Sequence, residues 1–227
     1  MNYLQLVQDL HGECQMSGTA PTTLVGLTGQ LADLARWVKD AWTEISNLRD
    51  EWLFKLTEVS WSTASLASDY DPAAAPLSLT DHSDWVPGSF RYYTTAVGTT
   101  SEQFVDWLEY PHFRDYYLFG SRRTQVGPPI AVTSAPNKHI LIGPKPDKDY
   151  TMVGQFQSFE PTLAVDADTP GIPARFHKLI VYRALQAYAL TLGAPEALAK
   201  AERGEARMLP QLLRHQLPRP MIAGPLV

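Results

Sequence analysis

Apolar and polar positions alternate with two different periods along this chain. From Thr28 to Trp52 the residues Leu31, Leu34, Ala35, Val38, Ala41, Trp42, Ile45, Leu48 and Trp52 recur every three or four positions. That spacing places them on one face of an α-helix. Arg36, Lys39, Asp40, Glu44, Arg49 and Glu51 take the remaining surface. Thr28 stands where a helix N-cap is needed, and a helix from there to Trp52 would run roughly 36 Å. Tyr3, Leu6, Val7 and Leu10 predict a shorter amphipathic helix over 2–14, and Gly18, Pro21 and Gly26 make 15–27 a loop.

From Phe54 the period changes to two. Residues 54–67 alternate as a half-buried strand does, and 90–96, 102–110 and 150–159 are also strand-like. In the last of these, Tyr150, Met152, Gly154, Phe156 and Ser158 share one side. Residues 129–134 and 138–143 flank Ala135–Asn137 as a hairpin. The Asp-, Ala- and Pro-rich stretch 68–89 reads as a long loop with one short strand at Pro76–Leu79, and 112–119 as a helical turn stopped by Gly120. After a linker at 160–172, the helical period returns. Residues 174–192 are apolar around most of the circumference, as a central buried helix is, with Pro173 at its start and Gly193 at its end. A last helix, 195–215, contains Gly204 and Pro210, and Pro210 is expected to kink or restart it. The fold class is therefore α+β. Helices from 1–53 and 161–216 form a bundle core, 54–160 is a β-rich insertion, and 217–227 is an extended C-terminal tail.

Composition adds limits to this picture. In 227 residues, 44% are hydrophobic, enough for a sizeable core. The net charge of −5 is mild but uneven: residues 1–160 carry −8 and residues 161–227 carry +3. The basic C-terminal part suits an acidic partner or is a solvated helix face. Cys14 is the only cysteine, so no intrachain disulfide forms, as expected of assembly in a reducing compartment. No apolar run reaches the length of a membrane span, and no secretory signal is recognised.

Catalytic signals are weak. The chain has no nucleophile-elbow, phosphate-loop or dinucleotide-binding motif, and its six histidines show no metal-ligand spacing. The pairs Asp69/Asp71, Asp147/Asp149 and Asp166/Asp168 could gather a divalent cation, but each lies beside Pro or Gly, where Asp more often caps a turn. Arg122 and Arg123 follow Gly120 in a loop, either solvated or placed to meet a phosphate or carboxylate. Trp85, Tyr92, Tyr93 and Trp107, with the Asp pairs, keep open an alternative reading as a carbohydrate-binding or carbohydrate-active, tail-associated protein. The tail is more informative. Leu217, Met221, Ile222, Leu226 and Val227 are apolar yet lie beyond any self-contained element, so they gain by lying on a neighbour or on the protein's own helices.

Several stretches carry a resemblance: MNYLQLVQDLHGECQMSG at the start, LTGQLADLARWVKDAWTEISNLRDEW, YPHFRDYYLFG at 110–120, ILIGPKPDKDYTMVGQF at 140–156 and TPGIPARFHKLIVYRALQAYAL at 169–190. In this order they resemble the adaptor, or head-completion, proteins of tailed bacteriophages. The resemblance implies a virion protein at the head–tail interface, assembled in the bacterial host cytoplasm, with no enzymatic activity, cofactor or metal. It implies a homo-oligomeric ring, a dodecamer in the virion, docked beneath the portal protein and meeting tail or nozzle proteins. Packaged DNA would pass through that ring without sequence-specific recognition. The segment implied to bind the portal contains Arg214, Leu217, Arg219, Met221, Ile222, Leu226 and Val227. Trp37, Arg203 and Arg207 are the candidates for the ring interface.

Overall fold

The computed structural model describes residues 1–218 and has mixed α+β architecture. Its helices are α1 (Tyr3–Glu13), α2 (Gly29–Ser46), α3 (Tyr110–Phe113), α4 (His177–Leu192) and α5 (Pro195–Gln216). The chain divides into two compact units: Met1–Lys55 with the chain from Glu160 onward, and Leu56–Phe159. No helix among the described residues is long and apolar enough to cross a membrane.

In the helical unit, α4 packs against α1, α2 and α5. Its wrap-around apolar surface explains why: Leu179, Ile180, Val181, Ala184 and Leu185 are all buried. Opposite them lie Leu6, Val7 and Leu10 of α1, Leu34, Val38 and Trp42 of α2, and Ala201 and Leu212 of α5. Charged side chains lace the helices together. Lys178 bonds both oxygens of Asp9 at 2.8 and 2.7 Å and Glu13 at 2.7 Å. Arg183 meets Glu44 and Glu205, each at 2.7 Å. Burial works against the Glu13 charge, yet hydrogen bonds from Lys178 and Lys200 outweigh it and hold the carboxyl below the usual range. At the start of α1, Asn2 and Gln5 form a capping box, each side chain accepting from the other's amide at 2.9 Å.

Helix α2 ends six residues earlier than its apolar period suggests. The Ser46 carbonyl accepts from Lys55 Nζ at 2.7 Å and from Trp52 Nε1 at 3.1 Å. These donors come from a chain that has folded back, and they satisfy a carbonyl left without an intrahelical partner. Trp52 is fully buried and stacks on Phe54 at 5.4 Å, whereas Leu48 is exposed. The helix is about 27 Å long rather than 36 Å. Thr28 does occupy the N-cap with extended backbone, but its hydroxyl makes no capping bond. The expected interruption of α5 is also absent. The helix runs through Pro210, whose carbonyl partner at Ala206 is solvent-exposed like Pro210 itself, so water can serve the freed acceptor. Gly204 is buried for another reason: a Cβ there would lie 2.5 Å from the Tyr182 ring, so its absence lets α4 and α5 approach. Gly193 ends α4 in the left-handed conformation, with φ 67°.

The second unit is built on β11 (Tyr150–Ser158), whose side chains alternate between buried and half-buried as its sequence predicts. Its antiparallel partners are β1 (Leu56–Ser62), paired from Leu56↔Gln157 to Ser62↔Thr151, then β4 (Arg91–Thr94) and β3 (His82–Trp85) on the other side. Strand β5 (Gln103–Phe104) extends that sheet beyond β4. A second sheet orders β2 (Asp69–Tyr70), β9 (Ile140–Gly143), β8 (Ala131–Ser134) and β6 (Asp106–Trp107), with β8 and β9 forming the expected hairpin. Strands β7 (Val126–Gly127) and β10 (Lys145–Pro146) pair in parallel. Two expectations are corrected here. The loop 68–89 holds β2 and β3, while 76–79 is not a strand but the end of a turn that Leu79 N–H closes onto the Pro72 carbonyl at 2.7 Å, with Leu77 buried in the β core. The stretch 102–110 is two short strands in different sheets, because Val105 bonds to Phe90 and Asp106 to Ile130.

Candidate docking surfaces

The last turn of α5 delivers Arg214 and Leu217 to one end of the helical unit. Arg214 is exposed; Leu217 is half-buried against the helical core. Both line a cleft of about 580 Å³ with Leu53, Arg175, Phe176 and His215. The Arg175 guanidinium lies 4.7 Å from the centre of the Phe176 ring, and His215 lies 5.8 Å from the same ring. The cleft thus combines apolar side chains with two arginines, the combination that accepts an apolar segment carrying negative charge. Pro218 lines it too. The other residues of the candidate portal-binding set, Arg219, Met221, Ile222, Leu226 and Val227, lie outside the described residues.

On α5, Arg203 and Arg207 are exposed one turn apart and form no ion pair among the described residues. Like charges at this spacing repel modestly, so they gain from an anionic neighbour. They border a shallow cleft of about 570 Å³ with Tyr182, Lys200 and Gly204. Trp37 does not line that cleft. It is half-buried on α2, edge-on to Tyr188 at 5.9 Å, with part of its ring left open.

A family model described as SU10 adaptor protein matches residues 1–225. The chain belongs to the SU10 adaptor protein family. This is a family of phage head-to-tail adaptors, structural rather than enzymatic, and it makes the protein a virion component that meets portal and tail partners. Comparison with curated protein sequences returns no match.

Other sequence candidates have structural roles consistent with an SU10 adaptor. Asp168 accepts from the amides of Ala164 and Val165 at 2.6 and 2.8 Å, and Asp166 from Leu24 N–H at 3.0 Å. Asp147 accepts from the Tyr150 hydroxyl at 2.6 Å, and Asp69 lies 2.8 Å from His139 Nδ1. The aromatics behind the carbohydrate reading are largely interior. Trp85 and Tyr92 are buried, with Trp85 Nε1 donating to the Lys138 carbonyl at 2.8 Å, and Trp107 stacks on Phe90 at 5.8 Å. Cys14 is buried and its thiol is pushed up to about 12 by that burial and by Glu13. Sequence reasoning missed Leu53, Arg175, Phe176 and His215 as lining of the C-terminal cleft. His215 is adjacent to the candidate Arg214, but Leu53, Arg175 and Phe176 converge on it from distant positions, which no local pattern shows.

Proposed function

We propose that the protein forms a ring, a dodecamer in the virion, beneath the portal and joins the head to the tail. Its C-terminal segment docks on the portal, tail or nozzle proteins bind its other side, and packaged DNA passes through without sequence-specific contacts. The ring assembles in the host cytoplasm. The observation that supports the docking step is the cleft at the end of α5, where Arg175, Arg214 and His215 line a space together with Leu53, Phe176 and Leu217. Each such contact is weak, but repetition around a ring multiplies it, so avidity holds the joint. Arg203, Arg207 and the open part of Trp37 are assigned to contacts between neighbouring copies.

The test is a truncation. Removing residues 208–227 would also remove buried Leu212 and damage the core, so the cut belongs at Arg219. The full chain is expected to form portal-bound rings visible by electron microscopy. The version lacking 219–227 is expected to unfold at the same temperature and to leave the portal bare. Equal decoration by both versions, or by neither, refutes docking through this segment.

A further inference from the structure

The β unit gathers part of its positive charge at one place. Leu56–Phe159 holds seven Lys/Arg against eleven Asp/Glu, a net of −4. Three of these cations have carboxylate partners: Arg91 with Glu102, Arg114 with Asp115, and Lys138 with Asp84. Of the other four, Lys148 lies over the Tyr150 ring, 5.5 Å from its centre, while Arg122, Arg123 and Lys145, which form no ion pair among the described residues, line a single cavity of about 510 Å³. Tyr110 and Tyr117 form part of its wall. A carboxylate on the lining, Asp69, is engaged by His139.

Local structure shapes the cavity. Gly143 has no side chain, and a Cβ there would fall 2.8 Å from the Tyr117 ring, so Tyr117 lies directly against β9. The Arg122 guanidinium sits 3.7 Å from the centre of the Tyr116 ring, which orients its donors. The β7–β10 pairing brings Lys145 beside Gln125 and Val126, although about twenty residues of chain intervene. Around this basic site, Tyr116, Phe119 and Val126 are exposed.

We propose that this cavity binds a carboxylate-bearing, apolar-flanked segment of a partner protein. Unpaired cations in an otherwise acidic unit make an anionic ligand the complementary one. The exposed apolar side chains beside the cavity call for apolar flanks on the same ligand. A cavity of this size seats a few side chains. An extended nucleic acid would need a continuous stripe of cations, and the unit's net negative charge repels it. The proposal goes beyond portal docking, because it lies in the β unit and uses no residue of the C-terminal segment.

Fluorescence anisotropy of the full chain tests it. The probe is a fluorescein-labelled peptide of alternating glutamate and leucine, at about 0.15 M salt. Comparison ligands are the same peptide with glutamine for glutamate and an oligo-dT strand. The glutamate peptide is expected to bind, and the pair Arg123→Glu with Lys145→Glu to weaken it at least about tenfold at an unchanged unfolding temperature. Lys145→Arg should retain binding. Failure of the glutamate peptide to bind overturns the proposal. So does equal binding of the glutamine version, survival of binding after the charge reversal, or tighter binding of the oligo-dT strand. Removing 219–227 should leave peptide binding intact, so loss of portal docking and loss of this site are separate results.

Discussion

Gly154→Ala probes how tightly the β unit is packed. The substitution keeps an inward position of β11 apolar, and a sequence pattern would rate it harmless. In the structure the added Cβ would lie 2.5 Å from Phe90 Cε1 and 2.6 Å from Cδ1. Ordinary carbon contacts are about 3.5–4.0 Å, so the ring must retreat by roughly 1 Å. It has nowhere to go. Phe90 is fully buried, stacked on Trp107 at 5.8 Å, with Trp85 at 5.8 Å and Trp61 at 6.4 Å. Overpacking of this kind costs about 1–3 kcal/mol. Alanine offsets part of that, about 0.4–1 kcal/mol, by restricting the unfolded chain. The net loss is about 1–2 kcal/mol, which raises the opening equilibrium of the β unit roughly 5- to 30-fold. Hydrogen exchange read by mass spectrometry on peptides covering β1 and β11 measures that factor directly. In a Phe90→Leu background the same Gly154→Ala change should cost at least about 0.5 kcal/mol less, because the two sites share the space. Unchanged protection of β11, or an equal cost in both backgrounds, refutes the reasoning.

Other outcomes follow from the helical unit. Lys178→Met leaves Asp9 and Glu13 facing each other without their shared cation. Because all three side chains are partly exposed, the loss of stability should be about 1–3 kcal/mol in urea unfolding, with the Glu13 carboxyl titrating higher. Burial pushes the His177 and His82 imidazoles below the ordinary histidine range. Their neutral forms are favoured in the fold, so the stability they contribute is complete above the unfolded value of about 6.5 and is lost as pH falls from there through the folded values. The urea midpoint should drop on acidification in that window, and less so in His177→Gln, whose neutral amide does not titrate; a flat profile in the parent removes this account. Arg203→Glu with Arg207→Glu should prevent ring formation on the portal, scored by light scattering and microscopy. Because both side chains are exposed, thermal unfolding should change little, and normal rings would take these residues out of the interface.

Much of the architecture is legible in the chain because it depends on local periodicity. The α+β class, the buried character of α4, the β8–β9 hairpin and the inward set of β11 each follow from spacings within one segment. The adaptor family was legible too, from the order of several stretches together. Element ends were less so. Nothing local distinguishes Trp52 as the last residue of α2 from Trp52 as a buried plug beyond it. The Ser46 carbonyl decides this by accepting from Trp52 and Lys55, and both bonds exist only after the chain turns back. Pro210 likewise breaks a helix by local rule, but on α5 the flanking Leu209, Leu212 and Leu213 hold their places against the core while the exposed side carries the defect.

The sites divide in the same way. Leu217 was visible as an apolar residue beyond the last helix, and Arg214 through the family resemblance, as a basic residue leading into the tail. Their cleft was not, because Leu53 and Phe176 reach it from far along the chain. Arg122 and Arg123 stood out only as an adjacent pair with no assigned partner. Parallel pairing of β7 with β10 adds Lys145, and the missing side chain of Gly143 lets Tyr117 wall the space beside them. The sequence by itself determined the periods, and with them the class, the helices and strands and the family. Tertiary structure alone decided where those elements stop, which glycines admit a neighbour's ring and which distant cations share one cavity, because these depend on groups that meet only when the chain has folded.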